Sequence, residues 1–272
     1  MLFRSPFVDE CARRFLNEGE LARFASIPEE LRRTQLKALL ESPIREFTEV
    51  NEAYFRARWG ETLALLHPGK DVAVLEVATG NADMIPQAMA RSRAGSRYVT
   101  ANMNVAANRS LLERTAGLDL RLELVEDDAV NIQRHVGPDA FDVIAFQHGL
   151  NDVIQAVLCG REGVDTAHAD WMELLPRMIR ILREETGAGT LESHAKPGLL
   201  HLMGSLLGVL KRGGVIAINH YMFQLDLDWG YPPALWEGWI PVARTWLRDL
   251  EGVREIELQN HDPNWWLFLK KV

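Results

Sequence analysis

The sequence has few cysteines and no excess of basic residues, and each shortage excludes a class of protein. Cys11 and Cys159 are the two cysteines among 272 residues, which are too few for a disulfide scaffold and form no CxxC motif. Aspartate and glutamate outnumber lysine and arginine by 38 to 30, which gives a formal net charge of −8. This balance argues against a protein that binds nucleic acid through bulk positive charge.

Long apolar runs and targeting features are also missing. No stretch approaches the roughly 20 apolar residues that a membrane-spanning helix needs. The N-terminus carries acidic residues early and lacks the apolar segment of a secretory signal. We therefore expect a cytoplasmic protein that makes no membrane contact.

Tryptophan, by contrast, is concentrated at one end of the chain. The sequence has eight tryptophans, and six of them lie between residues 229 and 266. Aromatic side chains supply both core packing and walls for flat or cationic ligands. An account of function must separate these two uses.

Residues 1–66 are predicted to form an N-terminal helical cap or lid. Ser26, Pro28 and Glu29 together are typical of a helix start, and apolar residues then recur at spacings of three and four as far as Leu66. A turn at residues 67–70 separates this cap from the remaining domain, which we place at residues 67–272.

Short apolar runs alternate with helical patterns from residue 71 onward. The predicted strands cover residues 72–75, 98–101, 120–125, 141–146, 215–219, 253–258 and 265–270. Later predicted helices cover 198–210 and 234–250, and we expect a helical insertion around 158–190. Strands that alternate with helices indicate crossover connections and an α/β fold with a doubly wound, mostly parallel sheet.

Small and polar residues follow the first four predicted strands. Small residues in a turn let the backbone approach a ligand at the carboxyl edge of such a sheet. The first strand leads into Glu76-Val-Ala78-Thr79-Gly80-Asn-Ala82, the second into Asn102-Met103-Asn104, the third into Asp128-Ala129, and the fourth into Gln147-His148.

These motifs resemble those of class I S-adenosylmethionine (SAM)-dependent methyltransferases, over about residues 71–272. The family turn is commonly acid-x-Gly-x-Gly-x-Gly, and alanine stands here at two of the three glycine positions. The family's second strand usually ends in an acid that binds the ribose hydroxyls, whereas this chain offers Asn102, which accepts hydrogen bonds but carries no charge. Asp128-Ala129 matches the family's adenine-reading pair, and Gly213-Gly214 before the fifth strand also matches.

The resemblance implies a fold, a cofactor and a set of binding residues. The fold would be a Rossmann-like, seven-stranded sheet with an antiparallel C-terminal strand, and the cofactor would be SAM. The implied cofactor-binding residues are Glu76, Ala78, Thr79, Gly80, Asn102, Met103, Asp128, Ala129 and Gln147.

Several of these positions also have a purely structural interpretation. Glu76 could be an acid on the surface at a strand end, and Asn104, next to a helix start, is better explained as an N-cap. Asp128 can cap the following helix while it also contacts adenine. Asp142 lies at a strand start, away from the ligand edge, and is interpreted as structural.

The segment after the fourth strand supplies the catalytic candidates. His148 is a candidate base because the reference pKa of histidine lies near neutrality, and Asp152 could orient it or a substrate amine. Asn151 is a further candidate, as is Tyr221 after the fifth strand. The alternative is that Asn151 or Asp152 caps the next helix and that His148 is a packed turn residue.

Aromatic residues near the fifth strand, and Tyr54 in the N-terminal segment, are predicted to border the ligands. The predicted substrate-binding residues are Tyr54, His220, Trp229, Tyr231 and Trp236. The remaining late tryptophans, Trp246, Trp265 and Trp266, are interpreted as core residues, and for Trp239 both uses stay open.

We expect in-line methyl transfer to a small-molecule acceptor, of secondary or housekeeping metabolism. A nicotinamide dehydrogenase would carry Gly-x-Gly-x-x-Gly after its first strand, and this chain does not. Two alternatives remain: an enzyme that cyclises the amino-acid part of SAM and releases methylthioadenosine, and a SAM-binding protein without activity. No motif supports a metal site, no nucleic-acid or membrane partner is expected, and a homodimer stays open.

Overall fold

The computed structural model describes residues 12–13, 16, 18–33, 49–221, 223–235 and 238–272. Its strands are β1 (Ala73–Val77), β2 (Arg97–Ala101), β3 (Arg121–Val125), β4 (Phe141–Gln147), β5 (Leu210–Asn219), β6 (Val253–Ile256) and β7 (Trp266–Lys271). The helices include α1 (Glu18–Ser26), α2 (Glu49–Leu66), α3 (Met84–Ser92), α4 (Val105–Thr115), α5 (Leu150–Arg161), α6 (Trp171–Ala188), α7 (Leu191–Val209), α8 (Gln224–Trp229) and α9 (Trp239–Leu247). Short 3-10 helices cover Ala129–Arg134 and Pro233–Leu235.

The strands form one seven-stranded sheet in the order β3-β2-β1-β4-β5-β7-β6. The first five strands are parallel to one another, and β7 runs antiparallel to both β5 and β6. The chain order reverses between β1 and β4, which is where ligands bind in open α/β sheets. The predicted seven-stranded, mostly parallel sheet with an antiparallel C-terminal strand is confirmed.

Both faces of the sheet are covered, which explains why the strands read as continuous apolar runs. Leu75, Ile144 and Ile216 point into a core shared with the helices between β4 and β5. Their chain neighbours Val74 and Val143 point to the opposite face. Alternate residues therefore bury two cores, one on each side of the sheet.

The described part of the N-terminal segment packs on this second face. Trp59 and Leu63 of α2 are fully buried against strand residues, and α2 lies along α3. Phe24 of α1 and Phe55 of α2 form a third cluster with Tyr221 and Phe223. The segment thereby brings aromatic residues to the carboxyl edge of the sheet, while its predicted role as a lid stays a prediction.

Three predicted element bounds are wrong. α7 begins at Leu191 rather than at residue 198, because Ala195 and Leu199 continue a buried stripe across Pro197. β5 begins at Leu210 rather than at residue 215, with a register shift against β4. The predicted helix over 234–250 is replaced by the second 3-10 helix and the shorter α9, whose N-cap is Gly238.

Across the part of the chain that the structure describes, no helix is long and apolar enough to span a membrane.

Candidate functional site

A cavity of about 760 Å³ lies at the carboxyl edge of the parallel strands. The turns after β1, β2, β3 and β4 and the segment after β5 all contribute to its wall, as expected where parallel strands end together. The lining residues from these five places include Ala78, Thr79, Gly80, Asn102, Met103, Asp127, Asp128, Ala129, Gln147, His148, Tyr221 and Phe223.

The turn after β1 exposes its backbone to the cavity. Ala78 and Gly80 both have left-handed backbone angles, with φ of 55° and 58°, and Thr79 Oγ1 donates to the carbonyl of Ala82 at 3.1 Å. Alanine adopts this conformation at an energetic cost, so the turn geometry is retained although a glycine is absent. Small side chains leave the peptide groups open to a ligand.

The turn after β4 packs directly on the turn after β1. A Cβ atom added at Gly149 would lie 3.0 Å from the carbonyl oxygen of Val77 and 3.2 Å from Cβ of Ala78. Only a glycine allows this approach without displacement. The two turns therefore form one continuous wall of the cavity.

Glu76 lies beneath the first turn and is not among the lining residues. It is 1% exposed and accepts a hydrogen bond of 2.6 Å from the hydroxyl of Tyr98. Burial raises the pKa of Glu76 to about 8, against the lowering effect of Tyr98 and Thr79. Because it is buried, Glu76 is not the exposed surface acid that the sequence also allowed.

Asn102 links the second strand to the first turn. Its Nδ2 donates to the carbonyl of Gly80 at 3.1 Å, so its Oδ1 is the atom that remains to accept from a ligand. Asn104 caps α4, with its side chain accepting from the backbone N–H of Ala107. The prediction that Asn104 is an N-cap is confirmed.

Two adjacent carboxylates follow the third strand and have different partners. Asp128 caps the following 3-10 helix by accepting from the backbone N–H of Val130 at 3.0 Å. Asp127 is held by His135 at 2.7 Å and by Asn131 at 3.0 Å. These hydrogen bonds, that of His135 first, lower the pKa of Asp127 to about 2.

Gln147 and His148 end the fourth strand inside the cavity wall. Trp59 Nε1 donates to Oε1 of Gln147, whereas Nε2 of Gln147 is buried without a partner in the described residues. His148 has a φ of 59°, and its ring stacks on that of His220 at 4.5 Å. The strained backbone and the stacking fix the ring.

Burial changes the acid–base properties expected of His148. It lowers the pKa of His148 to about 4, so the imidazole is neutral at physiological pH. The near-neutral pKa assumed from the sequence is wrong because water does not solvate the charged form there. His220, behind it and outside the lining residues, also has its pKa lowered, by burial and then by His148.

Asp152, in the first turn of α5, also faces the cavity. Burial, followed by the negative charge of Asp226, raises the pKa of Asp152 to about 7. Its neighbour Asn151 is buried away from the lining. Tyr231 is buried too, where its hydroxyl accepts from Gln155 at 3.0 Å.

The other predicted aromatic residues divide as follows. Tyr221 lines the cavity and stacks on Phe55 at 4.2 Å. Tyr54 and Trp229 do not line the cavity: Tyr54 packs edge-on against Phe55, and Trp229 is 42% exposed. Trp236 lies outside the described residues. Buried late tryptophans are Trp239, Trp246 and Trp266, with Trp265 partly buried.

One part of the cavity wall, called the roof below, was not predicted from the sequence. Thr166, Trp171 and Met172, from the connection between α5 and α6 and the start of α6, line it. Nδ2 of Asn104 donates to the carbonyl of Ala169 at 3.3 Å and fastens this connection to α4. No local spacing pattern could have indicated a contact between segments 65 residues apart.

Within the described ranges, no group of three or more His, Cys, Asp or Glu side chains is arranged to hold a metal ion.

Comparison with known proteins gives structural matches only. No protein-family profile and no curated protein matches the chain. Among solved structures, a SAM-dependent methyltransferase from Aquifex aeolicus is 11% identical, with 83% of this chain and 98% of that chain covered and a TM-score of 0.46. An rRNA methylase from Streptococcus thermophilus is 14% identical, with 79% and 95% covered and a TM-score of 0.42. The YcgJ protein from Bacillus subtilis is 9% identical, with 74% and 70% covered and a TM-score of 0.39.

The fold follows from the topology itself. The five parallel strands, the reversal between β1 and β4, and the antiparallel β7 between β5 and β6 are the arrangement that the sequence motifs implied. The chain has a Rossmann-like, doubly wound α/β fold.

Proposed function

We propose that the chain is a SAM-dependent methyltransferase that acts on a small-molecule acceptor. One observation carries the proposal: residues picked out as motif positions at four successive strand ends surround a single cavity. They are Ala78, Thr79, Gly80, Asn102, Met103, Asp128, Ala129 and Gln147. The sequence resemblance assigns these positions to SAM binding, so their shared cavity supports SAM as the ligand.

The wall of this cavity suits SAM. The left-handed, small-residue turn at Ala78 and Gly80 leaves room and backbone groups for the amino-acid end. Oδ1 of Asn102 can accept from a ribose hydroxyl, and Asp128 with Ala129 can read adenine. The unpartnered Nε2 of Gln147 is a donor suited to a carboxylate. When bound, SAM supplies a methyl group on a positively charged sulfur.

The chain's own residues would align the acceptor and manage its proton. A base works best with a pKa near the operating pH, so the structure favours Asp152, with a pKa of about 7, over His148, with a pKa of about 4. Neutral His148 is better suited to orient the acceptor by a hydrogen bond. Tyr221 stays protonated because burial raises the pKa of its hydroxyl.

Two properties support a small acceptor. The cavity, at about 760 Å³, falls within the range of small-molecule sites. The net charge of −8 disfavours a polyanion such as RNA.

Product analysis tests the proposal. The purified protein would be incubated with SAM alone and with a panel of acceptors, and the nucleoside product identified by mass spectrometry. We expect S-adenosylhomocysteine that forms only when an acceptor is present. Methylthioadenosine formed without acceptor would instead establish cyclisation of SAM, and tight SAM binding without turnover would indicate a binding protein.

Substitution of His148, with substitution of a second histidine as the control, tests the role of His148. His148→Ala should lower turnover at least tenfold while the affinity for S-adenosylhomocysteine stays within about threefold, since a lost hydrogen bond of about 1.5 kcal/mol acts on the acceptor. His201→Ala, an exposed position on α7, serves as the control. Wild-type turnover in His148→Ala would remove His148 from the site.

A further inference from the structure

We propose that the acceptor is an amine, bound as its ammonium ion in a corner of the cavity formed by the carboxylate of Asp152 and the rings of His148, Tyr221 and Phe223. These four residues are called the ammonium corner below. The inference rests on the proposed function, because it names the substrate class of the same site. Before methyl transfer, one N–H proton of the ammonium ion passes to the carboxylate of Asp152. The nitrogen lone pair that this frees then attacks the methyl carbon, and S-adenosylhomocysteine leaves.

The ammonium corner lies at the opposite end of the cavity from the adenine-reading pair. Asp128 and Ala129 follow β3 at one edge of the sheet, whereas Tyr221 and Phe223 follow β5. Four strand spacings separate β3 from β5 in the sheet order, which is roughly 19 Å. The nucleoside end of the cofactor and the ammonium corner therefore occupy different parts of the cavity.

Three rings meet in this corner. The centroid of His148 is 5.2 Å from that of Tyr221 and 5.4 Å from that of Phe223. Tyr221 and Phe223 are 4.8 Å apart and nearly perpendicular. A cation within about 6 Å of such ring faces gains cation–π attraction, and all three residues line the cavity.

The carboxylate of Asp152 lines the same cavity as the three rings. In the described part of the chain this carboxylate has no salt bridge or hydrogen bond, whereas other lining carboxylates have partners. Asp127 pairs with His135, Asp165 with His168, and Glu52 lies 3.9 Å from Arg114. Asp128 accepts a hydrogen bond from the backbone N–H of Val130.

The neighbouring carboxylate strengthens this negative field. Asp226 accepts from the backbone N–H of Phe223 at 2.6 Å and is not in a salt bridge with any described residue. Burial raises the pKa of Asp226 to about 6, and Asp226 contributes to the raised pKa of Asp152. A bound ammonium ion would relieve the repulsion between these two carboxylates.

A buried, unpartnered nitrogen in the corner indicates that a ligand completes it. Nδ1 of His148 is buried and has no hydrogen-bond partner among the described residues. The neutral imidazole does not repel a cation, and its free nitrogen can accept from an N–H donor.

Binding of matched amines and alcohols tests the inference. The wild-type protein, saturated with S-adenosylhomocysteine, would be titrated by calorimetry with benzylamine against benzyl alcohol, phenethylamine against 2-phenylethanol, and ethanolamine against ethylene glycol. We expect the amine of at least one pair to bind about tenfold or more tightly than its alcohol, as a charge-assisted hydrogen bond would give. If no amine binds more tightly than its alcohol, the inference is overturned.

Variants at Asp152 locate the effect. Asp152→Asn should remove the amine preference, Asp152→Glu should keep most of it, and both should bind S-adenosylhomocysteine within about twofold of wild type. Asp249→Asn, an exposed aspartate that loses the same charge, should change neither affinity. A parallel loss of S-adenosylhomocysteine affinity in Asp152→Asn would assign the carboxylate to the cofactor and overturn the inference.

The outcomes separate the two proposals. Failure of the protein to bind S-adenosylhomocysteine at all would overturn the proposed function and the inference together. Binding of S-adenosylhomocysteine with methyl transfer to alcohols or carboxylic acids, and none to amines, would leave the proposed function standing and overturn the inference alone.

Discussion

At the scale of single residues, Asp128 combines a structural contact with a proposed ligand contact. Its Oδ1 caps the 3-10 helix by accepting from Val130 N–H, and the side chain also lines the cavity. A substitution that removes both roles cannot distinguish them. Asparagine is a good N-cap and lacks the negative charge, so it separates capping from adenine recognition.

Asp128→Asn is expected to lower the affinity for S-adenosylhomocysteine about tenfold, because a charged acceptor is replaced by a neutral one. Calorimetric titration measures the change, with Asp119→Asn on the exposed surface as the charge-matched control. Asp128→Ala should lose about 1 kcal/mol of stability in addition, from the lost cap. Unchanged affinity in Asp128→Asn would refute the adenine assignment.

Glu76 makes stability depend on pH through a group outside the cavity. Burial raises its pKa to about 8 from an ordinary value of 4.5, so between pH 5 and 8 the folded state holds a proton that the unfolded state has released. The contribution is fully present below about pH 4.5 and is lost as pH rises toward 8.

Glu76→Gln, which cannot ionise but can still accept from Tyr98, should remove this dependence. Thermal unfolding at pH 5, 6.5 and 8 is expected to show the melting temperature of Glu76→Gln rising relative to wild type as pH increases. Tyr98→Phe, which deletes the donor, serves as a comparison. A constant difference between wild type and Glu76→Gln over this range would contradict a raised pKa.

At the scale of elements, the contact between the turns after β1 and β4 shapes the cavity wall. Gly149 lies against the backbone of Val77 and Ala78, and both flanking turns contain left-handed residues. The sheet fixes the strands that lead into both turns, so displacing one turn disturbs the packing of the other.

Gly149→Ala is expected to destabilise the fold by about 1–3 kcal/mol, because the added Cβ meets backbone atoms that cannot rotate away. It should also weaken S-adenosylhomocysteine binding by displacing the first turn. Denaturant unfolding and calorimetry measure the two effects. The matched control is Gly187→Ala in α6, where nothing lies within 4 Å and alanine should be neutral or stabilising by up to about 1 kcal/mol; equal stability of both variants would exclude the close contact.

Predicting elements from the sequence succeeded where the pattern was strong and local. The parallel strands were located because strands buried on both faces form short apolar runs, and Asn104 was identified because capping is a local contact. The start of α7 was missed because buried Ala195 and Leu199 extend it, and burial depends on partners distant in sequence.

At the scale of the whole molecule, the cavity joins five strand ends to the roof from the α5–α6 connection. A ligand held there would link these segments and stabilise the folded state by mass action. Ligand binding should therefore stabilise the whole carboxyl edge of the sheet and not one turn alone.

S-adenosylhomocysteine at about a hundred times its dissociation constant should add about 2.7 kcal/mol to the free energy of unfolding. For a chain of this size the melting temperature should rise by roughly 5–10 °C. Differential scanning fluorimetry checks this, with adenine alone as a comparison that should give a smaller rise. No shift with S-adenosylhomocysteine would contradict its binding in the cavity.

The sequence by itself determined the order of strands and helices along the chain, the position of motif residues after the first four strands, and the net negative charge. It did so because periodicity, turn chemistry and charge are properties of neighbouring residues. Only the tertiary structure placed Glu76 beneath the turn, lowered the pKa of His148, raised that of Asp152, and brought Tyr221, Phe223 and the roof at Trp171 to one cavity. Burial, and the charges that burial leaves unpaired, depend on residues that meet across the sheet and are remote in sequence.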